Sequence, residues 1–137
     1  MSRLDDLRRE IDGIDEALHD LLMRRVEIGR QVADAKGSDR GPYFRPGREA
    51  QIIRRLVARN ESCLNIPTLI RVWREILSAN LNMQIHVRAA VYLAEGAETV
   101  CDLARDHFGI MATIERMNTS EAVLTAVTDG SATLGVL

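Results

Sequence analysis

Apolar residues recur with a helical period along the first 36 residues of the chain. They are spaced alternately by three and four positions, at Leu4, Leu7, Ile11, Ile14, Leu18 and Leu21, and the pattern resumes at Ile28, Val32 and Ala35. This spacing predicts one long helix over residues 4–36 with a narrow, coiled-coil-like apolar stripe, and Ser2 is placed to cap it. At 1.5 Å per residue the helix would be roughly 50 Å long. A helix of that length with such a stripe needs a partner helix.

Two shorter helices are predicted after a loop rich in glycine and proline at residues 37–47. We expect Gly37 to cap the first helix and the two prolines of the loop to prevent its continuation. The second helix should span residues 46–59 and the third residues 68–86, with Pro67 at a favoured first-turn position. Their predicted buried residues are Ile52, Ile53, Leu56 and Val57 in the second helix and Trp73, Ile76, Leu77 and Leu81 in the third. Three helices, one of them over-long, fit half of an intertwined homodimer better than a monomeric bundle.

After residue 86 the pattern changes to alternating strands and helices. Strands are predicted at 89–94, 111–117 and 132–137, and helices at 97–108 and 120–128. Their short connections predict a parallel sheet. Two short helices should not cover both faces of such a sheet, and the sequence stops inside an apolar strand. We therefore expect an all-α three-helix intertwined homodimer over residues 1–86, followed by an incomplete α/β segment over 87–137 that opens a second domain.

The composition argues against nucleic-acid, membrane and secreted proteins. The formal net charge is -2, without the basic excess of a nucleic-acid or membrane-surface binder. No apolar run reaches the length of about 18 residues that suggests a transmembrane helix, and the first residues are charged rather than apolar. Cys63 and Cys101 form neither a disulfide framework nor a metal cluster. These features predict a cytoplasmic protein with free thiols.

Arg25 breaks the apolar stripe of the first helix, where the series predicts an apolar residue. An arginine inside such a seam either forms an interhelical salt bridge, specifies the register or binds an anion. Lys36 lies about 20° around the helix and roughly 16 Å further along it, so the two cations could bracket a small ligand. Arg8 is about 25 Å from Arg25 and could reach the same site only from an antiparallel partner helix. Taken alone, Arg8 is typical of a solvated surface residue.

The third helix also carries polar residues on its apolar side. Trp73, Leu77, Asn80 and Gln84 are spaced by four, three and four positions, so the stripe ends in two amides. Buried amides need a protein or ligand partner. Arg48 and Glu49 add a cation and a carboxylate near the start of the second helix, where Glu49 would also complement the helix dipole. Together these positions predict a pocket between helices, rich in hydrogen-bond donors and holding one carboxylate.

The residue types available near this predicted pocket restrict the reactions that it could catalyse. Eight arginines and no lysine lie within residues 37–75, a segment with a net charge of +4. Such a segment is typical either of a solvated surface or of a site that binds a small anion. The sequence contains no convincing nucleophile arrangement, metal-ligand spacing or phosphate loop. Such a site either binds an anion or catalyses by electrostatics and positioning, without a cofactor or metal.

Three motifs follow one another along the first helix, namely Leu7-Arg8-x-x-Ile11-x-x-Ile14-Asp15, Leu21-Leu22-x-Arg24-Arg25 and Val32-Ala33-x-Ala35-Lys36. Arg48-Glu49 and Asn80-x-x-x-Gln84 follow at suitable spacing. In this order the motifs resemble the all-helical (type II) chorismate mutases over roughly residues 4–86. The resemblance implies an intertwined homodimer that converts chorismate to prephenate by a [3,3] rearrangement in phenylalanine and tyrosine biosynthesis, without a cofactor.

The resemblance also implies roles for individual residues. Arg25 and the Arg8 of the partner chain would hold the two substrate carboxylates. Lys36 and Gln84 would donate hydrogen bonds to the ether oxygen, so that Lys36, Gln84 and Arg25 are the catalytic residues. Glu49 would accept a hydrogen bond from the ring hydroxyl.

Three further positions follow from the same resemblance. Arg48 would support a substrate carboxylate. Asn80 is a substrate-binding candidate at a position where the family often has a small hydroxyl residue. Arg45 stands where some relatives carry an aspartate whose backbone contacts the ring hydroxyl.

The segment after residue 86 resembles, more weakly, the start of a prephenate dehydratase domain. The resemblance rests on Tyr92-Leu93-Ala94-Glu95-Gly96, on Ser120-Glu121-Ala122-Val123 and on Gly135-Val136-Leu137. It implies that these residues belong to a longer fusion, with a mutase domain over 1–86 and a partial α/β lobe over 87–137. Two alternatives stay open at this point: an isochorismate pyruvate lyase on the same helical dimer, and a non-catalytic helical dimerisation module with a small-molecule-binding lobe.

Overall fold

A computed structural model describes residues 2–36 and 44–137. The described elements are, in chain order, α1 (Arg3–Lys36), α2 (Pro46–Arg59), α3 (Ile66–Gln84), β1 (Arg88–Tyr92), α4 (Thr99–Phe108), β2 (Thr113–Met117), α5 (Ser120–Thr128) and β3 (Leu134–Val136). The chain divides into two compact units, residues 1–40 and 41–137. None of the described helices has the length and apolarity needed to cross a membrane.

The first unit is the long helix that the apolar spacing predicts. Its beginning is fixed by Ser2 and Asp5, because Ser2 Oγ accepts a hydrogen bond from the Asp5 amide at 3.2 Å and the Asp5 carboxylate accepts one from the Ser2 amide at 3.3 Å. This reciprocal arrangement is a capping box, and it lowers the pKa of Asp5. α1 contains no buried residue, and its apolar stripe is exposed in the single chain, from Leu4 at 55% to Leu21 at 64%. The predicted cap Gly37 lies outside the described residues.

The second unit begins with the helical pair α2 and α3. α2 has the predicted bounds, and its Ile52 and Ile53 pack against Leu77 of α3, with partly buried side chains around them. α3 begins two residues earlier than predicted because the Asn65 side chain accepts a hydrogen bond from the Thr68 amide at 2.8 Å and caps the helix there. It ends at Gln84, two residues before the predicted end, where Ile85 turns to extended backbone.

The rest of the second unit is a three-stranded parallel sheet with the strand order β2-β1-β3. The parallel sheet confirms the prediction, although each strand is shorter by up to three residues than the sequence pattern predicts. α5 has the predicted bounds, and Thr119 caps it by accepting from the Ala122 amide at 3.1 Å. α4 begins two residues later than predicted.

The expectation that two short helices cannot cover both faces of this sheet was wrong for its central strand. Side chains alternate between the faces of a strand, so Ala89 and Val91 of β1 pack against α4, whereas Ala90 packs against α5. Because the sheet is only three strands wide, one helix on each face is enough to bury β1. Ala89, Ala90 and Val91 are each 0% exposed.

The helical pair and the α/β segment share a core within the second unit. Leu81 of α3 is buried with Val87 and Ala112, and Phe108 of α4 packs against them. The chain also turns closely past α3 at Gly109, where φ is +86° and an added Cβ would lie 2.5 Å from Ser78 Cβ. The predicted domain boundary between residues 86 and 87 stays a prediction, and α3 packs against residues on the far side of it.

Candidate active site

The candidate cations of the first unit are Arg8, Arg25 and Lys36, all on α1. Because α1 is one continuous helix, Arg8 and Arg25 are about 25 Å apart along its axis. Arg8 Nη1 lies 3.9 Å from Asp5 Oδ1, with side chains that are 66% and 51% exposed, so this surface ion pair contributes little to stability. Lys36 is the last residue of α1, where a cation interacts favourably with the helix dipole.

The remaining candidates, Arg48, Glu49, Asn80 and Gln84, belong to the second unit. Arg48 is exposed and Glu49 is partly buried in the first turn of α2. Asn80 and Gln84 are partly buried on α3, one helical turn apart. The same side of α3 begins with Trp73 and Leu77, which pack against α2. The apolar stripe of α3 therefore leads into the two amides, as its spacing predicts.

Glu49 has a partner that the sequence did not indicate. Its Oε1 accepts a hydrogen bond from Arg74 Nη1 of α3 at 3.1 Å, and the two side chains are only 16% and 17% exposed. Glu49 thus does more than complement the dipole of α2, because it joins α2 to α3. Arg74 is one of eight arginines in a stretch with excess positive charge. Nothing in the spacing of residues 49 and 74 indicates that they meet.

Two opposing effects determine the protonation of Glu49. Burial raises the pKa of its carboxyl group, whereas the charge of Arg74 and its hydrogen bond lower it, and the pKa remains above its ordinary value. Burial dominates because removing a carboxylate from water disfavours its charged form. Arg74 therefore opposes the effect of burial and favours the ionised form of the Glu49 carboxyl group.

Arg74 also lines a cavity of about 600 Å³ between α3 and α4. The cavity is bordered by a second ion pair, in which Arg71 Nη2 lies 3.0 Å from Asp106 Oδ1. Burial and the charge of Arg74 lower the pKa of His107 on α4. Among the described residues, no group of three or more histidine, cysteine, aspartate or glutamate side chains is arranged to hold a metal ion.

A family model described as chorismate mutase type II matches residues 7–85. This match spans Arg8, Arg25 and Lys36 in the first unit and the four candidates of the second.

Three relatives are similar over nearly the whole chain, and each is a bifunctional chorismate mutase/prephenate dehydratase. The Aquifex aeolicus protein is 30% identical over 141 residues, covering 100% of this chain and 39% of its own length. The proteins of Stutzerimonas stutzeri and Pseudomonas aeruginosa are 29% and 30% identical over 140 residues, each covering 98% of this chain and 38% of its own length. This chain thus spans about two-fifths of the length of these relatives.

Proposed function

The chain belongs to the type II chorismate mutase family, and from that membership we propose that it catalyses the [3,3] rearrangement of chorismate to prephenate in the biosynthesis of phenylalanine and tyrosine. The observation that carries this proposal is the family match over residues 7–85, which includes all seven candidate residues. The absence of a nucleophile from the site's residue set suits this reaction, because a unimolecular rearrangement needs neither acid nor base.

Catalysis would rest on positioning and electrostatics. A site that holds the substrate in the chair-like conformer, with its reacting carbons close together, removes the entropy cost before the barrier is crossed. As the C–O bond of the ether breaks, negative charge develops on its oxygen. Hydrogen-bond donors that are already oriented towards that oxygen stabilise the transition state more than the ground state.

Each candidate then has a role. Lys36 and Gln84 donate to the ether oxygen, and Arg25 holds a substrate carboxylate together with Arg8 of the partner chain. Glu49 accepts a hydrogen bond from the ring hydroxyl. Arg48 supports a substrate carboxylate, and Asn80 contributes an amide contact.

The proposed active form is an intertwined homodimer. The exposed apolar stripe of α1 supports it, because a row of leucine and isoleucine side chains that runs the length of a 34-residue helix favours burial against another helix. A second copy of α1, arranged antiparallel, has the matching stripe. This arrangement would also bring Arg8 of one chain near Arg25 of the other.

We further propose that residues 1–86 form the mutase domain and that residues 87–137 are the first part of a prephenate dehydratase-like lobe in a longer fusion. The names of the three bifunctional relatives support this organisation, since their similarity extends across both parts of the chain. A cytoplasmic location stays a prediction.

Chorismate disappearance, followed by ultraviolet absorbance with the purified chain, tests the proposed function. We expect turnover, with prephenate identified as the product by chromatography. A folded helical sample that leaves chorismate unchanged would contradict the proposal. The same sample is then given isochorismate, since release of pyruvate would assign the chain to the lyase reaction instead.

A further inference from the structure

Arg74 and Glu49 form an ion pair that is unlike its neighbour on the same helix. Both pairs join an α3 arginine to a carboxylate on another helix. The Arg71 and Asp106 side chains are 66% and 47% exposed, whereas those of Arg74 and Glu49 are 17% and 16% exposed. Surface pairs are screened by water, but a partly buried pair depends strongly on both partners, because removing one leaves an uncompensated charge.

The geometry leaves Glu49 able to serve a ligand. A carboxylate has two oxygens with about four lone-pair sites, and the Arg74 guanidinium bonds to Oε1. The carboxylate therefore keeps acceptor capacity for a hydroxyl group while the arginine fixes its orientation. An arginine suits this task because its guanidinium is planar, permanently charged and able to hold a carboxylate in a defined geometry.

We propose that Arg74 is a positioning residue: through its ion pair it orients the Glu49 carboxylate towards the ring hydroxyl of the substrate. The inference rests on the proposed function, since Glu49 needs a substrate hydroxyl to act upon. Arg74 itself acts through Glu49 and does not contact the substrate.

A first experiment tests the pair without relying on catalysis. The pKa of Glu49 is measured by NMR in the full chain with labelled glutamate carboxyl groups, and Glu49→Gln identifies its signal. Glu49 faces Arg74 on α3 and is flanked on its own segment by Arg45 and Arg48. We expect Arg74→Gln to raise the pKa of Glu49, and the matched control Arg71→Gln to leave it unchanged. Equal pKa values in the two variants would overturn the proposal.

A second experiment asks whether Arg74 acts through Glu49. We expect Arg74→Gln to lower kcat/KM roughly 10- to 100-fold, as a misplaced catalytic group typically does, whereas Arg71→Gln stays within about twofold. In a Glu49→Gln chain the amide needs no counter-charge. Adding Arg74→Gln to that chain should therefore lower kcat/KM by less than about threefold further. An equal loss in both backgrounds would overturn the proposal, because Arg74 would then contact the substrate or serve the fold alone.

Arg74→Lys separates orientation from charge and serves if Arg74→Gln does not fold. We expect it to keep the pKa of Glu49 close to that of the wild type, yet to lower kcat/KM severalfold, because an ammonium group lacks the planar geometry of a guanidinium. Unchanged activity in Arg74→Lys would contradict an orienting role. If the wild-type chain itself leaves chorismate unchanged, the proposed function fails, and the NMR titration still decides whether Arg74 controls the charge of Glu49.

Discussion

Lys36 and Gln84 are the residues on which the proposed chemistry depends most directly. Losing one donor to a developing oxyanion typically costs about 2.7–4 kcal/mol, or 10²- to 10³-fold in kcat. We expect Lys36→Ala and Gln84→Ala each to reduce kcat by this amount while the helical circular dichroism spectrum is retained. Arg24→Ala, which removes an exposed cation from α1, is the matched control. Its kcat should stay within about twofold of the wild-type value. Turnover like that of the wild type in either alanine variant would remove that residue from the mechanism.

Glu49 gives the site a pH dependence of defined sign. Because burial raises its pKa above the ordinary 4.5, we expect kcat/KM to fall with an acid-side midpoint above pH 4.5 as the carboxylate is protonated. Glu49→Gln should remove this part of the profile, since its amide oxygen accepts a hydrogen bond at every pH. If kcat/KM of Glu49→Gln still falls on the acid side, the titration of another group causes that fall.

The same shift affects stability in the opposite direction. A raised pKa means that folded Glu49 holds its proton more readily than the unfolded chain does. Its contribution to the free energy of unfolding is therefore fully present below pH 4.5 and is lost as the pH rises through the folded pKa. Acid should thus lower activity while protonation of Glu49 raises the free energy of unfolding, and urea unfolding of the wild type and of Glu49→Gln across this pH range measures that contribution.

Individual residues also show how far the sequence could predict this site. The break at Arg25 and the amides Asn80 and Gln84 were detectable because each interrupts a helical period. Arg74 was not, because its partner Glu49 is 25 positions away on another helix. A contact of that kind follows from how two helices pack, and no local spacing encodes it.

At the scale of the elements, the end of α4 is a sensitive contact. Gly109 combines φ of +86° with a Cβ position 2.5 Å from Ser78, whereas Gly130, at φ +82°, has open space around it. Both glycine-to-alanine changes carry a backbone cost of about 1–3 kcal/mol. We expect Gly109→Ala to cost about 1–3 kcal/mol more, because the Ser78 contact adds overpacking. Urea unfolding of the two variants measures this difference. Equal losses in the free energy of unfolding would show that α3 accommodates the added methyl group without an energetic penalty.

The predicted helix boundaries agree best with the structure where the sequence analysis recognised a capping residue. α1 begins next to Ser2, the cap that the sequence predicts, and α5 begins at the predicted residue, where Thr119 caps it. The start of α3 was misplaced because the sequence analysis did not recognise Asn65, three residues before the predicted start, as its cap. The coverage of the sheet was misjudged for a different reason, since it depends on how many strands pair and on which face each helix packs.

At the scale of the whole molecule, the proposed dimer makes a quantitative prediction. If each site takes Arg25 from one chain and Arg8 from the other, neither Arg8→Ala nor Arg25→Ala alone retains an intact site. Random reassociation of equal amounts of the two variants makes half of the dimers mixed, each with one intact site, so activity should return to roughly a quarter of the wild-type value.

A control mixture verifies that the recovery comes from shared sites. Arg25→Ala and Lys36→Ala both change residues that one chain would contribute to the same site, so mixing them should restore nothing. Recovery in this control, or none in the Arg8 and Arg25 mixture after proven subunit exchange, would contradict the antiparallel arrangement.

The packing of α3 against residues beyond 86 has a practical consequence for anyone shortening this protein. A chain shortened to the family-matched residues would lack Val87, Ala112 and Phe108, which pack against Leu81. The apolar core that they share would then become a solvent-exposed apolar surface prone to aggregation. It would also remove the backbone amide of Ile110 that donates to Glu75 at 3.4 Å. A minimal version would therefore need polar replacements around Leu81 that leave the neighbouring Asn80 and Gln84 unchanged.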